Sequence, residues 1–94
     1  MRESKVEAHL VRLVQLHGGE IRKLQWVGRA HGQDRFVALN GAWLVELKRP
    51  GQVERPGQVR ERERLVKNGV RCRVCSSFGD VDMFIKEALN AAGS

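Results

Sequence analysis

Five polar side chains stand out by type and spacing: Glu7, Asp34, Glu46, Lys48 and Gln58. Glu46 and Lys48 close an otherwise apolar run, Ala42-Trp43-Leu44-Val45. Such a run reads as a buried strand, and its period of two puts Glu46 and Lys48 on one face. A charged pair at the end of a buried strand costs free energy unless something uses it. Asp34 opens the preceding strand, and the Asn40-Gly41 turn folds that strand back toward Glu46. Two carboxylates and a lysine converging on one sheet face suit a hard divalent cation and an activated water. The ammonium can orient that water and offset charge building on a phosphate. This is the chemistry of phosphodiester hydrolysis. The plainer alternative is a solvated ion pair on an edge strand, against which the flanking Trp43, Leu44 and Val45 argue.

The geometry holds only in one register. A two-residue loop at Asn40-Gly41 pairs Leu39 with Ala42 and sends Asp34 to the face opposite Glu46. A three-residue loop, Leu39-Asn40-Gly41, pairs Ala38 with Ala42, Phe36 with Leu44 and Asp34 with Glu46. Both carboxylates and Lys48 then share a face. The expectation is therefore a bulge at Gly41, or another between Asp34 and Leu39.

The supporting residues are more ambiguous. Glu7 completes a Ser4-Lys5-Val6-Glu7 capping box, yet it also falls inside the apolar sector of its helix, where a charge needs a partner. Gln58 occupies the first turn of a helix and can hydrogen-bond a water, a phosphate or a catalytic group. Among the arginines, Arg49 and Arg55 flank a loop beside the candidate site, and Arg60 and Arg64 share one helix stripe. These four are the candidate phosphate contacts.

Positioning these residues requires seven elements. A helix spans 4–17, with Val6, Leu10, Val11, Leu13 and Val14 on its apolar side. Gly18-Gly19 stops it. Strands follow over 20–27, 34–39 and 42–48, with 28–33 as a loop. After a loop over 49–55, Pro56 starts a helix that runs to Asn68-Gly69. Residues 70–76 form a fourth strand, and Asp80 caps a last helix reaching Ala92. The order is α-β-β-β-α-β-α, an α/β fold in which the middle helix joins two strands as a βαβ unit.

Ninety-four residues make one domain, 1–94, with one small core, and a dimer partner covering apolar surface suits so short a chain. A net charge of +6 points to an anionic partner, nucleic acid or a membrane surface. No segment is long enough to span a bilayer, and the charged N-terminus is not a signal peptide, so the expected setting is cytoplasmic, in a bacterium or as a viral protein in its host. Cys72 and Cys75 form a lone C-x-x-C inside an alternating strand, which sends them to opposite faces rather than to one metal.

Glu7, then Gly32-Gln33-Asp34, Glu46-Leu47-Lys48 and Arg55-Pro56-Gly57-Gln58, closed by Gly69-Val70-Arg71-Cys72-Arg73-Val74, resembles the VRR-NUC family of the PD-(D/E)xK nuclease superfamily over nearly the whole chain. The resemblance implies a restriction-endonuclease-like core with a central mixed sheet flanked by helices. It also implies a Mg²⁺- or Mn²⁺-dependent DNA endonuclease. Asp34, Glu46 and the Leu47 carbonyl would be metal ligands, Lys48 would position the attacking water, and Glu7 and Gln58 would support the site. Gln33 stands where the family usually has proline. Stand-alone members are similar to small homodimeric nucleases acting on branched DNA such as four-way junctions. Competing readings are a non-catalytic nucleic-acid-binding module of the same fold, or a restriction- or toxin-type nuclease acting on duplex DNA.

Overall fold

The computed structural model describes residues 3–24, 34–49 and 51–91, with side chains from Lys5 onward. Their order is α1 (Glu3–Leu16), β1 (Glu20–Lys23), β2 (Asp34–Ala38), β3 (Ala42–Leu47), α2 (Pro56–Lys67), β4 (Arg71–Cys75) and α3 (Phe78–Asn90). This is the expected α-β-β-β-α-β-α sequence. The sheet order is β1-β2-β3-β4, antiparallel until β3 and β4 pair in parallel across the α2 connection. A parallel neighbour needs such a crossover, because no tight turn can return the chain to the same end of the sheet.

Strand alternation divides the sheet into two unlike faces. Val37, Trp43, Val45, Leu47 and Cys75 point to one side and are buried there with Val6, Leu10 and Val14 of α1 and Val81, Phe84, Ile85 and Ala88 of α3. Each of the larger apolar side chains contributes about 1.5–3 kcal/mol by leaving water. The opposite side is covered by α2, which buries none of its own residues. Asp34, Leu44, Glu46 and Cys72 face it and remain partly accessible.

The β2–β3 hairpin has the three-residue loop. Asp34 pairs with Glu46, Phe36 with Leu44 and Ala38 with Ala42. Asn40 (φ 51°) and Gly41 (φ 126°) both take positive φ, and the Leu39 N–H donates to the Gly41 carbonyl at 2.9 Å. A side chain at 41 would also meet the Arg71 guanidinium, since a Cβ there falls 1.8 Å from its Nη2. The loop is docked as well as turned. The Asn40 amide donates to the Ala88 and Ala91 carbonyls at the end of α3 (3.0 and 2.5 Å), and the Trp43 indole donates to the Leu39 carbonyl (3.0 Å). The Ala88 carbonyl also accepts from the Ala91 N–H at 3.2 Å, so the Asn40 amide adds a second donor there and ties the loop to the last turn of α3.

Element ends differ from the sequence expectation in places. The last helix is capped by Ser77, whose Oγ accepts from the Asp80 N–H at 3.0 Å, and not by Asp80. Asp80 is instead the third helical residue, and its carboxylate accepts from the Ser76 N–H at 2.9 Å. A Ser-x-x-Asp box starts the helix three residues earlier than an isolated Asp cap would. β1 ends at Lys23, and the expected remainder of that strand at 25–27, the loop at 28–33 and the Ser4 cap side chain lie outside the described residues.

Candidate active site

The site is built on the α2 face by consecutive same-face positions of β3 and one of β2. Asp34 and Glu46 are cross-strand partners, so their side chains leave the sheet on one side with Cβ atoms about 4.5–5.5 Å apart. Lys48 follows β3 directly, and its N–H donates to the Cys75 carbonyl at 2.9 Å, which carries the β3–β4 ladder one residue further. Its side chain is only 7% exposed, and its Nζ lies 3.2 Å from Glu46 Oε2. Leu47 points its side chain into the core, so only its backbone is presented at the site.

The helix α2 closes the cleft. Its Gln58, Glu61 and Arg62 line it together with Asp34 and Glu46, and Leu44, Leu65 and Cys72 form the apolar part. Gln58 is fixed by its helix start: its Oε1 accepts from the Arg55 N–H at 2.9 Å. Arg55 has no acceptor on its own side chain, so this capping box is one-sided. Arg62 reaches back to Glu54, donating from Nη2 to Oε1 at 2.9 Å and from Nη1 to Oε2, while Nη1 stands 3.6 Å from Glu46 Oε1. The hydrogen bond from Arg62, with its charge and that of Lys48, holds the Glu54 carboxyl below the usual range despite partial burial. The Arg62 pKa is raised in turn, chiefly by its hydrogen bond to Glu54. Burial, with Asp34 and Glu46 nearby, pushes the Cys72 thiol up.

The charge balance of this cleft runs against that of the whole. In a chain of net charge +6, the described lining carries the carboxylates of Asp34, Glu46 and Glu61 with the guanidinium of Arg62, and the Lys48 ammonium lies against Glu46. No protein-family model matches the chain. A solved structure described as a VRR_NUC domain superposes with a TM-score of 0.77 at 34% identity, covering 89% of this chain and 94% of that one. The chain belongs to the VRR-NUC family. A second relative is "Putative nuclease p44" of Acyrthosiphon pisum secondary endosymbiont phage 1, 42% identical over 79 residues, 82% of this chain and 85% of that protein.

Not every candidate residue of this VRR-NUC chain reaches the cleft. Asp34, Glu46 and Gln58 line it, and Lys48 touches Glu46. Glu7 goes elsewhere: its Oε2 accepts from Arg35 Nε at 2.6 Å and from Nη2 at 2.5 Å, on the core side of the sheet. Arg35 in turn donates to the Asp34 carbonyl at 3.1 Å. Glu7 is thus tied to the backbone of a site residue through one buried guanidinium. Arg49, Arg55, Arg60 and Arg64 are exposed, the last two along α2. Gly32 and Gln33 of the motif lie outside the described residues.

Sequence reasoning missed Arg35, Arg62 and Glu54. Arg35 carried a usable signal, because it alternates with Val37 on the core face and a lone charge there demands a counter-charge. Arg62 carried a weaker one, the four-residue spacing from Gln58 that places both on one helix stripe. Glu54 had none, since it lies in an irregular loop.

Proposed function

We propose that this VRR-NUC chain is a Mg²⁺- or Mn²⁺-dependent DNA endonuclease that hydrolyses phosphodiester bonds in branched DNA such as four-way junctions. One observation carries the reading: Asp34 and Glu46 face each other in register beside a nearly buried lysine, in an acidic cleft on a basic chain. The nuclease name of the phage relative agrees with it.

The residues fit a hard divalent ion. The donors that would hold it, the Asp34 and Glu46 carboxylates and the Leu47 carbonyl, are all oxygens, and among the described lining residues carboxylates outnumber cations. Among the described residues no group of three or more His, Cys, Asp and Glu side chains is arranged to hold a metal. Mg²⁺ keeps several of its waters and takes one or two carboxylates, a number that the Asp34–Glu46 pair supplies. Asp34, Glu46 and the Leu47 carbonyl would hold it, and the chemistry it supplies is Lewis-acid polarisation of phosphoryl oxygen and water.

The remaining work falls to the chain itself. Lys48, anchored on Glu46 and largely shielded from solvent, orients the attacking water and offsets charge growing on the phosphate. Gln58, held by the Arg55 N–H, hydrogen-bonds substrate or water at the rim. Glu7 steadies Asp34 through Arg35. The exposed Arg49, Arg55, Arg60 and Arg64 contact DNA phosphates and fix the duplex arms. Two strands of a junction need two such sites, which a C₂ homodimer supplies.

The test is cleavage of linear duplex, flap, splayed-arm and four-way-junction DNA with Mg²⁺, Mn²⁺ or EDTA. Cleavage requires metal and is fastest on the branched substrates. Asp34→Ala and Lys48→Ala each lower the rate by ~10²-fold or more, as expected when a transition-state group is lost, with the thermal unfolding midpoint and DNA affinity retained. Full activity of Asp34→Ala would sink the assignment.

A further inference from the structure

Arg62 lies one helical turn beyond Gln58 and points from α2 into the cleft. Two carboxylates claim its guanidinium. Glu54 holds both terminal nitrogens, while Glu46 Oε1 stands 3.6 Å from Nη1. The other Glu46 oxygen already faces Lys48 at 3.2 Å. Were Glu54 absent, Arg62 would settle on Glu46, since no closer carboxylate hold on it is present among the described residues. A guanidinium closed onto Glu46 opposes a divalent cation there by like-charge repulsion.

We propose that Arg62 binds a phosphodiester oxygen of the strand being cut, and that Glu54 is its positioning residue, holding the guanidinium at the cleft but off Glu46. The assignment rests on the nuclease reading above. It gives Glu54 a role distinct from that of a metal ligand. The Arg62–Glu54 pair holds the guanidinium in place before substrate arrives, so little side-chain ordering is left for the moment of binding.

The experiment measures Mn²⁺ binding to the DNA-free protein by calorimetry, alongside single-turnover cleavage of saturating four-way-junction DNA. Arg62→Met removes the cation and keeps the stem. It tightens Mn²⁺ binding several-fold and slows cleavage by about tenfold or more. Arg62→Lys keeps the charge without the fork, so Mn²⁺ affinity stays near that of the unsubstituted chain while cleavage falls. Glu54→Gln weakens Mn²⁺ binding by about tenfold. The deciding variant combines Glu54→Gln with Arg62→Met. If Glu54 acts by restraining Arg62, its replacement has no effect on Mn²⁺ affinity once Arg62 is gone. If Glu54→Gln weakens Mn²⁺ binding equally in both backgrounds, Glu54 merely adds negative charge and the proposal is overturned. Unchanged cleavage in Arg62→Met overturns it as well. Arg62→Gln serves as the second replacement where thermal unfolding shows Arg62→Met to be unfolded. Failure of the unsubstituted chain to bind Mn²⁺ would overturn the metal reading and this proposal with it, a result distinct from the other two.

Discussion

The two faces of one sheet have opposite purposes, and they alternate along the same strands. On the core face, Val37, Val45 and Leu47 are fully buried and packed by two helices. On the other, Asp34, Glu46 and Lys48 are gathered under a single helix that buries nothing of its own. Each face contains an arginine–glutamate pair, and the pairs differ. Arg35 is 4% exposed and binds Glu7 within the packed layer, a structural link. Arg62 sits in an open cleft between two glutamates, where a pair can be exchanged for a substrate contact. The difference teaches that register, more than composition, separates core from chemistry here. A slip of one residue would exchange the two faces.

The harshest way to break that separation is to delete Gly41. The three-residue loop then loses the residue that sets Ala38 opposite Ala42. Either the loop strains or β3 slips by one against β2, sending Glu46 toward the core and Val45 toward the cleft. We expect loss of the cooperative thermal transition in circular dichroism, and of cleavage with it. A folded, active deletion variant would show that the pairing of Asp34 with Glu46 does not depend on this turn.

Smaller changes should separate the faces by what they impair. Leu10→Ala, at a position with no exposure, lowers stability by about 2–5 kcal/mol in chemical denaturation and leaves cleavage per folded molecule unchanged. The site variants behave in the opposite way. Glu7→Ala sharpens the contrast, because Glu7 touches the site only through Arg35. Taking its carboxylate from a buried guanidinium costs about 1–3 kcal/mol, with a modest fall in cleavage as the Asp34 backbone loosens. A loss of cleavage equal to that of Asp34→Ala, with no loss of stability, would instead place Glu7 among the reacting groups.

Most of this division could be read from the chain. Period two along Ala42–Leu47 separates Trp43 and Val45 from Leu44 and Glu46, and the need to bring Asp34 to Glu46 selects the hairpin register. The pairing of β3 with β4 and the α2 crossover followed from the order of elements. What could not be read was long-range side-chain pairing. Glu7 has a local explanation as a cap, and 28 residues separate it from the arginine it binds. Arg62 sits in a helix whose alternating charges all resemble a solvated surface. Spacing shows which residues share a face but not which of several arginines turns inward. The α3 start differs from the sequence expectation because two residues three apart, Ser77 and Asp80, both suit a cap, and the hydrogen bonds choose between them only in the folded chain.

The mildest expected effect uses the two cysteines, which report on the two faces from one strand. Cys75 lies in the core, where burial, assisted by the Asp80 charge, pushes its thiol from 9.0 up to about 12. Cys72 opens on the cleft, and its thiol is also raised, mainly by burial. Thiolates are the reactive form, so both should alkylate slowly at pH 8 in the folded protein. Cys72 should nevertheless react before Cys75, and DNA seated in the cleft should protect Cys72 alone. The sign of the linkage gives a second readout. A raised folded pKa means the native chain keeps a proton that the unfolded chain releases. The Cys75 contribution is therefore complete below about pH 9 and is lost as pH rises from 9.0 toward about 12, with a slope of about 1.4 kcal/mol per pH unit. Cys75→Ala should flatten that alkaline decline while lowering stability at neutral pH by the loss of a packed side chain. Iodoacetamide labelling read by mass spectrometry, with and without junction DNA, checks the first part. Urea unfolding between pH 8 and 10.5 checks the second. Protection of both thiols by DNA would mean that substrate binding tightens the whole sheet and not only its open face.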